Sequence, residues 1–295
     1  MGTGGTVSWG ELLAETEARL RAVDGEASRR HARWLCEEAS GREGAELDGH
    51  LGDAATVRGV AHLDAMVARR LEGEPIQYVL GHWPFRALDL AVDRRVLIPR
   101  PETEQVVEVA LGEVDRADVP ESIVVDLGTG SGAIGLSVAV ERRRTVVWMT
   151  DVDAGALALA RANLAGIGPA ATRVSIAEGS WFEALPGDLR GQIDVIVSNP
   201  PYVAEDDEVD DTVATWEPSG ALWAADGGLE HIRHLVTGAL EWLTPDGSLV
   251  VEIGAAQGPR ARELGEAAGY AEVDVLADLT GRDRVLRARR RAGGR

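Results

Sequence analysis

Residues 198–202, Ser-Asn-Pro-Pro-Tyr, could do chemistry on a planar nitrogen. They follow residues 193–197, a β-branched run that predicts a buried strand. Two prolines cannot continue a strand, so they predict a stiff corner at its carboxyl end, where open α/β sheets bind ligands. Asn199 offers a carbonyl and an NH₂ group beside the ring of Tyr202, a pair suited to an amide or amine. An ordinary proline-rich turn is the alternative for this motif alone.

A second motif lies at residues 124–135, where a strand, a glycine loop and a helix start follow in order. Glycines let the backbone turn tightly and approach a ligand, and the N–H groups of the helix start face the loop. Residues 130–135 also match the dinucleotide fingerprint, with Asp151 at a spacing typical of a ribose contact, so an NAD enzyme competes on this loop alone. The fuller pattern, an acid followed by three alternating glycines, is similar to motif I of the S-adenosylmethionine methyltransferases.

The composition indicates a globular protein with a strongly acidic balance. Its 295 residues are enough for two domains, and its net charge is −19 without a single lysine. Such acidity argues against duplex binding, so we expect no stable nucleic-acid binding; this argument does not extend to a site that takes one flipped base. Cys36 is the only cysteine, and neither a leader peptide nor a membrane span is visible. We therefore expect a cytoplasmic protein.

Hydrophobic patterns predict the elements that position these motifs. Four helices are expected early in the chain, starting at a capping box of Ser8 and Glu11. They predict an all-helical domain at residues 1–73 with a role in substrate recognition or docking, and a merely stabilising role is the alternative. Residues 74–100 are expected to form a β-hairpin linker, with strands at 76–85 and 88–92. In residues 101–295, we predict helices at 101–111, 132–141, 153–165, 228–243 and 259–268, and strands at 122–127, 145–150, 172–177, 192–197, 246–252, 271–276 and 283–288. This alternation predicts a doubly wound parallel α/β sheet.

Further motifs complete a resemblance to one family. They are Gly-Glu-Pro-Ile-Gln-Tyr at 73–78, Ile-Pro-Arg-Pro-Glu-Thr-Glu at 98–104, Trp-Phe at 181–182, Trp-Glu-Pro at 216–218, Val-Glu-Ile-Gly at 251–254 and Arg-Val at 284–285. With the glycine loop and residues 198–202, they resemble the peptide chain release factor glutamine N5-methyltransferases (the HemK/PrmC family). The resemblance implies a class I SAM-dependent methyltransferase, Rossmann-like, with seven strands of which the last is antiparallel, and a small N-terminal helical domain.

The resemblance also implies S-adenosyl-L-methionine (SAM) as cofactor and S-adenosyl-L-homocysteine as product. The implied cofactor-binding residues are Gly128, Thr129, Gly130, Ser131, Gly132, Asp151, Trp181 and Asn199. Asp151 would accept the two ribose hydroxyls, and Trp181 would lie on the adenine, with a buried core tryptophan as its alternative. Asp153 is expected to cap the following helix. Ser180 stands where the family usually carries an acid, which leaves the contact to the adenine amino group open.

The implied substrate is the glutamine of the Gly-Gly-Gln loop in class I peptide chain release factors. The Asn199 side-chain oxygen and the Pro200 carbonyl would hold the amide NH₂, while Pro201 and Tyr202 would contact the substrate. Residues 98–104 favour this enzyme over its nearest relative, the ribosomal protein L3 glutamine methyltransferase. The motifs also leave open a nucleic-acid adenine N6-methyltransferase and a non-catalytic SAM-binding docking module.

Weaker expectations concern groups outside these motifs. Arg100 is expected to bind the cofactor carboxylate or to brace a lid, and Glu252 has no predicted role. His231 and His234 are three residues apart without a third ligand nearby, so we expect no metal. The acidic residues in 205–211 predict either a solvated loop or a patch for a basic partner. We expect a monomer.

Overall fold

The computed structural model describes residues 6–291, which form two compact units. The first unit ends at Gly81 and the second begins at His82. The division therefore falls inside the segment that the sequence predicts as a linker. Among the described residues, no helix is long and apolar enough to cross a membrane.

Five helices build the first unit. They are α1 (Trp9–Asp24), α2 (Ser28–Ser40), α3 (Ala45–Gly49), α4 (Val57–Leu71) and α5 (Ile76–Leu80). The predicted capping box starts α1: Ser8 Oγ accepts a hydrogen bond from the Glu11 N–H at 3.3 Å, and the Glu11 carboxylate accepts one from the Ser8 N–H at 2.8 Å. The apolar faces of α1, α2 and α4 meet in one core, which includes Leu20 and Cys36. Burial raises the pKa of the Cys36 thiol to about 12, so this cysteine is a core residue.

The segment Ile76–Leu80 is helical, so the strand predicted there is wrong. The Arg69 guanidinium donates to the carbonyl oxygens of Tyr78 and Val79 at 2.8 and 3.0 Å, which satisfies acceptors that a short helix leaves unpaired. Gly81 then ends the helix with a left-handed backbone, at a φ of 85°. The apolar side chains of this short helix thus pack into the core of the first unit.

The second unit consists of a hairpin and a seven-stranded sheet with its helices. The hairpin strands are β1 (His82–Phe85) and β2 (Leu88–Ala91). The sheet strands are β3 (Ser122–Leu127), β4 (Thr145–Asp151), β5 (Val174–Glu178), β6 (Ile193–Ser198), β7 (Leu243–Glu252), β8 (Glu272–Ala277) and β9 (Asp283–Arg289). The helices are α6 (Pro101–Ala117), α7 (Ala133–Glu141), α8 (Ala154–Gly166), α9 (Asp211–Trp216), the short turn α10 (Ala225–Gly228), α11 (Glu230–Trp242) and α12 (Gly258–Ala268).

The strand order is β5-β4-β3-β6-β7-β9-β8, and β9 runs antiparallel to both of its neighbours. This confirms the predicted seven-stranded doubly wound sheet with an antiparallel last strand. Alternate residues of the central strands pack on opposite faces, so Val124 contributes to a core with α6 and α7, whereas Val125 contributes to a core with α11. Phe85 and Leu90 of the hairpin belong to the first of these cores, which makes the hairpin part of the second unit.

The strand order also brings the two sequence motifs together. Strands β3 and β6 are central neighbours, with Asp126 opposite Val197. The chain reverses its direction across the sheet here, and such a switch point is where open α/β sheets bind ligands. The Ser198 hydroxyl donates to the Leu127 carbonyl at 2.6 Å. The glycine loop and the Asn-Pro-Pro-Tyr corner therefore leave the sheet side by side.

A buried carboxylate fixes α6 against the sheet. Glu113 is 3% exposed and accepts hydrogen bonds from Ser248 Oγ in β7 at 2.7 Å and from Arg116 at 2.8 Å. Arg289 in β9 donates to both Glu113 oxygens, at 2.8 and 2.9 Å. Burial by itself raises the pKa of Glu113, but the hydrogen bonds outweigh it and lower this pKa to about 2.

Replacing Glu113 by Gln should destabilise the second unit by about 3 kcal/mol at pH 7, because the partly buried guanidinium groups lose their buried anion. A carboxylate with a depressed folded pKa contributes stability above its unfolded pKa, near 4.5, and loses it as the pH falls toward 2. The gap between wild type and E113Q should therefore be full at pH 7 and shrink steadily below pH 4.5. Urea unfolding followed by circular dichroism at several pH values measures both effects.

Glu108→Gln is the matched control on the same helix. The Glu108 side chain is 69% exposed and pairs with Arg86, and exposed ion pairs contribute little to stability. We expect E108Q to unfold at the same urea concentration as wild type. Coincident unfolding curves for E113Q and E108Q at pH 7 would show that the buried cluster does not anchor α6.

Candidate active site

A cavity of about 590 Å³ opens where β3, β4, β5 and β6 end, and this volume is typical of small-molecule sites. Of the predicted site residues, those on its wall are Gly128, Thr129, Gly130, Ser131, Asp151, Trp181, Asn199 and Pro201. Pro200 is buried, Tyr202 packs partly buried against the core, and Gly132 begins α7. Residues from 95–103, 133–134, 152–156, 179–180 and 218–221, with His231, complete the wall.

The buried carboxylate of Asp126 holds the glycine loop. Its Oδ2 accepts hydrogen bonds from the Thr129 hydroxyl at 2.5 Å and from the Gly135 N–H at 2.9 Å. Burial raises the pKa of Asp126 to about 6, although both hydrogen bonds oppose the rise. Gly128 has a φ of 71°, and a side chain there would come within 3.4 Å of the Trp181 ring. The loop is thus already formed, with its backbone exposed to the cavity.

Asp151 ends β4 with its carboxylate at the cavity wall. One oxygen accepts a hydrogen bond from the Gly130 N–H at 2.9 Å, and the other accepts one from the Asp153 N–H at 3.0 Å. Burial raises the pKa of Asp151. Asp153 instead caps α8 by accepting from the Ala156 N–H at 2.8 Å, which confirms that prediction. The two acids therefore have different roles, and Asp151 keeps lone pairs for a ligand.

Trp181 forms part of the wall and lies against two histidines. Its ring centroid is 5.3 Å from that of His231 and 6.3 Å from that of His234. Its backbone φ of 47° is in the left-handed region, which is rare for a bulky residue and typical of functional sites. Burial lowers the pKa of His231, so its ring is neutral at pH 7. The described residues contain no group of three or more His, Cys, Asp or Glu that could hold a metal ion.

Asn199 begins a chain of hydrogen bonds that ends on a buried acid. Its Nδ2 donates to Thr103 Oγ1 at 3.2 Å, and Thr103 Oγ1 donates to Glu252 Oε2 at 2.7 Å. The Tyr202 hydroxyl donates to the other oxygen, Glu252 Oε1, at 3.1 Å. Glu252 is 1% exposed; burial raises its pKa, whereas the two hydrogen bonds and the charge of Arg284 lower it. Glu252 thus connects both functional side chains of the corner.

The main chain of the corner is fixed as well. Gln257 Nε2 donates to the Tyr202 carbonyl at 2.9 Å, and Gln257 Oε1 accepts a hydrogen bond from the Gly254 N–H at 2.9 Å. A side chain at Gly228 would lie 2.2 Å from the same Tyr202 carbonyl, so only glycine fits there. Burial raises the pKa of the Tyr202 hydroxyl, which therefore stays a hydrogen-bond donor. The ring and its main chain are held from three directions.

A buried acid also ties together two segments of the wall. Glu217 accepts hydrogen bonds from the Arg100 guanidinium and from the Ile98 N–H, the latter at 3.0 Å. The Arg94 guanidinium lies 4.9 Å from the centre of the Trp216 ring, which adds a cation–π contact between the same segments. Arg100 thus joins residues 98–100 to Glu217, and both of its predicted roles, binding the cofactor carboxylate and bracing a lid, stay predictions.

Thr103, Glu217 and Asn163 are among the site residues to which the sequence predictions give no role. Asn163 Nδ2 donates to the Ser131 carbonyl at 2.8 Å and its Oδ1 accepts from the Ala91 N–H at 2.8 Å, so it ties the glycine loop to the hairpin. The sequence does carry one signal for Asn163: it is a polar residue on the apolar face of a predicted helix. Thr103 and Glu217 lie inside quoted motifs, but nothing in the pattern indicates their partners.

The acidic segment 205–211 follows the Asn-Pro-Pro-Tyr corner in the chain, and all of its residues except Val209 are exposed. Asp207 accepts a hydrogen bond from the Ala204 N–H at 3.0 Å, and Asp210 caps α9 through the Thr212 N–H at 2.8 Å. Both predicted interpretations, a solvated loop and a patch for a basic partner, require such exposure. The choice between them stays a prediction.

Comparison with solved structures supports the fold. A methyltransferase from Pyrococcus furiosus has a TM-score of 0.50 at 19% identity, and the match covers 76% of this chain and 97% of that chain. The catalytic domain of hMettl16 has a TM-score of 0.54 at 15% identity, covering 78% of this chain and 79% of that chain. At such low identity these similarities concern the fold alone.

Comparison with sequences is more specific. The family model of the PrmC N-terminal domain matches residues 11–81, and that of the methyltransferase small domain matches residues 111–217. Proteins named release factor glutamine methyltransferase from Cereibacter sphaeroides and Xylella fastidiosa are 39% and 40% identical, over 95% and 93% of this chain and 97% and 95% of theirs. One from Bordetella pertussis is 41% identical over 87% of this chain and 93% of its own. Identity at this level along almost the whole chain shows that this protein is a methyltransferase of the release factor glutamine methyltransferase family.

Proposed function

We propose that this protein transfers a methyl group from SAM to the side-chain nitrogen of the glutamine in the Gly-Gly-Gln loop of class I peptide chain release factors. The names of its relatives support the substrate. The observation that carries the proposal is the Asn199 side chain on the cavity wall, with its NH₂ group engaged by Thr103. Its oxygen is thereby left for a substrate that brings two N–H donors, as a primary amide does.

The cavity fits SAM by size and by chemistry. Its wall combines a largely apolar surface with a few acceptors, among them the Asp151 carboxylate and the open backbone of residues 128–131. Asp126 is buried off this wall and would support the cofactor only through the glycine loop that it holds. When bound, SAM supplies an electrophilic methyl group on a positively charged sulfonium and leaves as S-adenosyl-L-homocysteine.

We assign the cofactor contacts as the family resemblance implies. The backbone of residues 128–132 would contact the amino-acid portion, because glycine lets the chain approach closely. Asp151 would accept the two ribose hydroxyls with the lone pairs that its backbone contacts leave. Trp181, supported by His231, would lie on the adenine. Ser180 also lines the wall and offers a hydroxyl where the family usually has an acid.

Asn199 and Pro200 would position the reacting nitrogen. A glutamine amide is a weak nucleophile, because its lone pair is delocalised into its carbonyl group. The Asn199 side-chain oxygen and the Pro200 carbonyl would accept its two N–H groups and stabilise the positive charge that develops on nitrogen. The amide nitrogen would form the new N–CH₃ bond as the S–CH₃ bond of SAM breaks, and it would then release one proton to water. No base has to act before transfer, because the proton leaves only after the nitrogen has become positively charged. Pro201 and the fixed ring of Tyr202 would pack against the flat amide.

Two alternative substrates remain distinguishable by experiment. A glutamine of ribosomal protein L3 would suit the same acceptors, but residues 98–104 and the names of the relatives favour the release factor. A nucleic-acid adenine also presents a planar NH₂ group. The net charge of −19 disfavours this substrate, because nucleic-acid binding relies on phosphate contacts from basic groups.

We further propose that the first unit recognises the release factor, with residues 1–73 as a recognition domain and residues 101–295 as the methyltransferase domain. The PrmC N-terminal domain model supports a separate module over residues 11–81. We propose that the protein is a monomer and acts in the cytoplasm, where release factors act on ribosomes. We also propose that it does not bind nucleic acid stably.

Asn199→Ala should lower the rate of methyl transfer by about 100-fold, because the transition state loses one charge-stabilising acceptor. The measurement uses labelled SAM and a purified class I release factor, at saturating concentrations of both. Asn199→Ala should leave the SAM Kd within about threefold of wild type, because the cofactor contacts lie mainly on other loops.

The release factor with its loop glutamine replaced by Ala is the substrate control. Wild-type enzyme should label the natural factor and leave this variant unlabelled. Labelling of purified ribosomal protein L3 or of rRNA instead, with no label on the factor, would overturn the proposed substrate while leaving the methyltransferase assignment intact.

Asp151→Asn should raise the SAM Kd by about 10- to 100-fold, because a neutral amide is a weaker acceptor for two hydroxyls than a carboxylate. Asp153→Asn is the matched control two residues away, since asparagine caps helices as well as aspartate does. Isothermal titration calorimetry with SAM measures both variants. If D151N and D153N both bound SAM with the Kd of wild type, Asp151 would not hold the ribose.

A further inference from the structure

The two ends of an asparagine amide have almost the same shape but opposite hydrogen-bonding character. If the Asn199 amide were flipped, its NH₂ group would face the NH₂ group of the substrate, and two donors repel. Holding a glutamine nitrogen therefore requires that the Asn199 oxygen, and not its nitrogen, faces the substrate. Within the site, some group must enforce this orientation.

The Thr103 hydroxyl has one hydrogen, and this limits how the Asn199 amide can be oriented. The hydroxyl accepts from Asn199 Nδ2 at 3.2 Å and donates to Glu252 Oε2 at 2.7 Å. A hydroxyl has one hydrogen, so while it donates to Glu252 it can only accept from Asn199. A flipped amide would place two acceptor oxygens against each other. Thr103 is 4% exposed, so water does not readily take either role.

Glu252 determines the direction in which that proton points. An ionised carboxylate only accepts hydrogen bonds, and Glu252 takes one on each oxygen, from Thr103 and from Tyr202. Burial gives the pKa of Glu252 a net rise, whereas its two hydrogen bonds and the charge of Arg284 favour the anion, and Glu102 opposes it. Both hydroxyls of the network therefore point at Glu252, and the acceptor side of Thr103 is left for Asn199.

We propose that Glu252, acting through Thr103, fixes the amide of Asn199 with its oxygen toward the substrate nitrogen. This inference rests on the proposed function, since it assumes that the substrate brings an NH₂ group. Thr103 and Glu252 are positioning residues: they act through Asn199. The arrangement makes the cavity selective for a hydrogen-bond donor at the reacting atom.

Glu252→Gln keeps the shape of the side chain but allows the hydrogen bonds between residues 252, 103 and 199 to run in the opposite direction. The new amide can donate to Thr103, whose proton then turns to Asn199 and favours the flipped amide. We expect E252Q to lower kcat by about 10- to 100-fold, similar to the loss of one transition-state acceptor. The SAM Kd, measured by calorimetry, should stay within about twofold of wild type.

Thr103→Val and Thr103→Ser are a matched pair of variants at Thr103, the residue that links Glu252 to Asn199. Valine keeps the size but removes the hydroxyl, so T103V should lose about 10- to 100-fold in kcat, whereas T103S keeps the hydroxyl and should lose less than about threefold. Thermal unfolding of each variant separates loss of fold from loss of orientation. If Thr103 acts through Asn199, T103V should cost nothing further in an Asn199→Ala background, so the double variant should match N199A.

Nuclear magnetic resonance gives a readout that does not depend on activity. The side-chain NH₂ signal of Asn199 is assigned by its absence in N199A, and it should shift in E252Q and T103V but keep its position in T103S. Unchanged kcat and an unchanged NH₂ signal in E252Q would overturn the proposal, as would independent, multiplicative losses in the T103V/N199A double variant. Failure of the wild type to label the release factor would instead contradict the proposed function, and the NH₂ signal would still decide the orientation.

Discussion

The hydrogen bond from the Ser198 hydroxyl to the Leu127 carbonyl joins the ends of the two central strands, and the site depends on this junction. Both residues are fully buried, so the bond is protected from water. It sets the glycine loop and the proline corner at the same level above the sheet. With the proposed binding of the methyl donor to the loop and of the acceptor to the corner, the two would meet without any movement of the strands.

Around this junction, the wall of the cavity is supported by carboxylates whose positions are fixed by backbone donors. Asp126 is held by the start of α7, Asp151 by the glycine loop and Glu217 by the main chain of Ile98. Such a wall suits a cationic cofactor and an NH₂ substrate alike, because both bring positive charge or hydrogen-bond donors. Each carboxylate is placed before a ligand arrives, so binding needs little reorganisation.

Much of this could be predicted from the sequence, because the signals are local. Buried parallel strands such as β3 and β6 are continuous β-branched runs, and the glycine loop has a fixed spacing after its strand. The helix Ile76–Leu80 could not be predicted in this way, because a short apolar segment fits a strand or a single helical turn equally well. The Arg69 contacts that decide between them are not visible in a pattern.

The network behind Asn199 could not be predicted for a different reason. Thr103 and Glu252 are 149 positions apart in the sequence, and no periodicity reports a contact at that separation. The left-handed backbone of Trp181 is equally invisible, since residue type disfavours it and only the surrounding packing imposes it. The sequence therefore indicates which motifs react, whereas the orientation of their side chains is a property of the tertiary structure.

Helix α6 is attached to strand β7 at two points, Thr103 to Glu252 near the site and Glu113 to Ser248 far from it. The ten-residue separation along the helix spans about 15 Å, and the four-residue separation along the strand spans about 13 Å, so the two attachments agree only when helix and strand lie in one axial register. Because this stretch of α6 is held at both ends, the position of the Thr103 hydroxyl along the helix axis is coupled to that of Glu113. The alignment of Asn199 therefore depends partly on a charged cluster about 15 Å away along the helix, toward the amino-terminal end of β7.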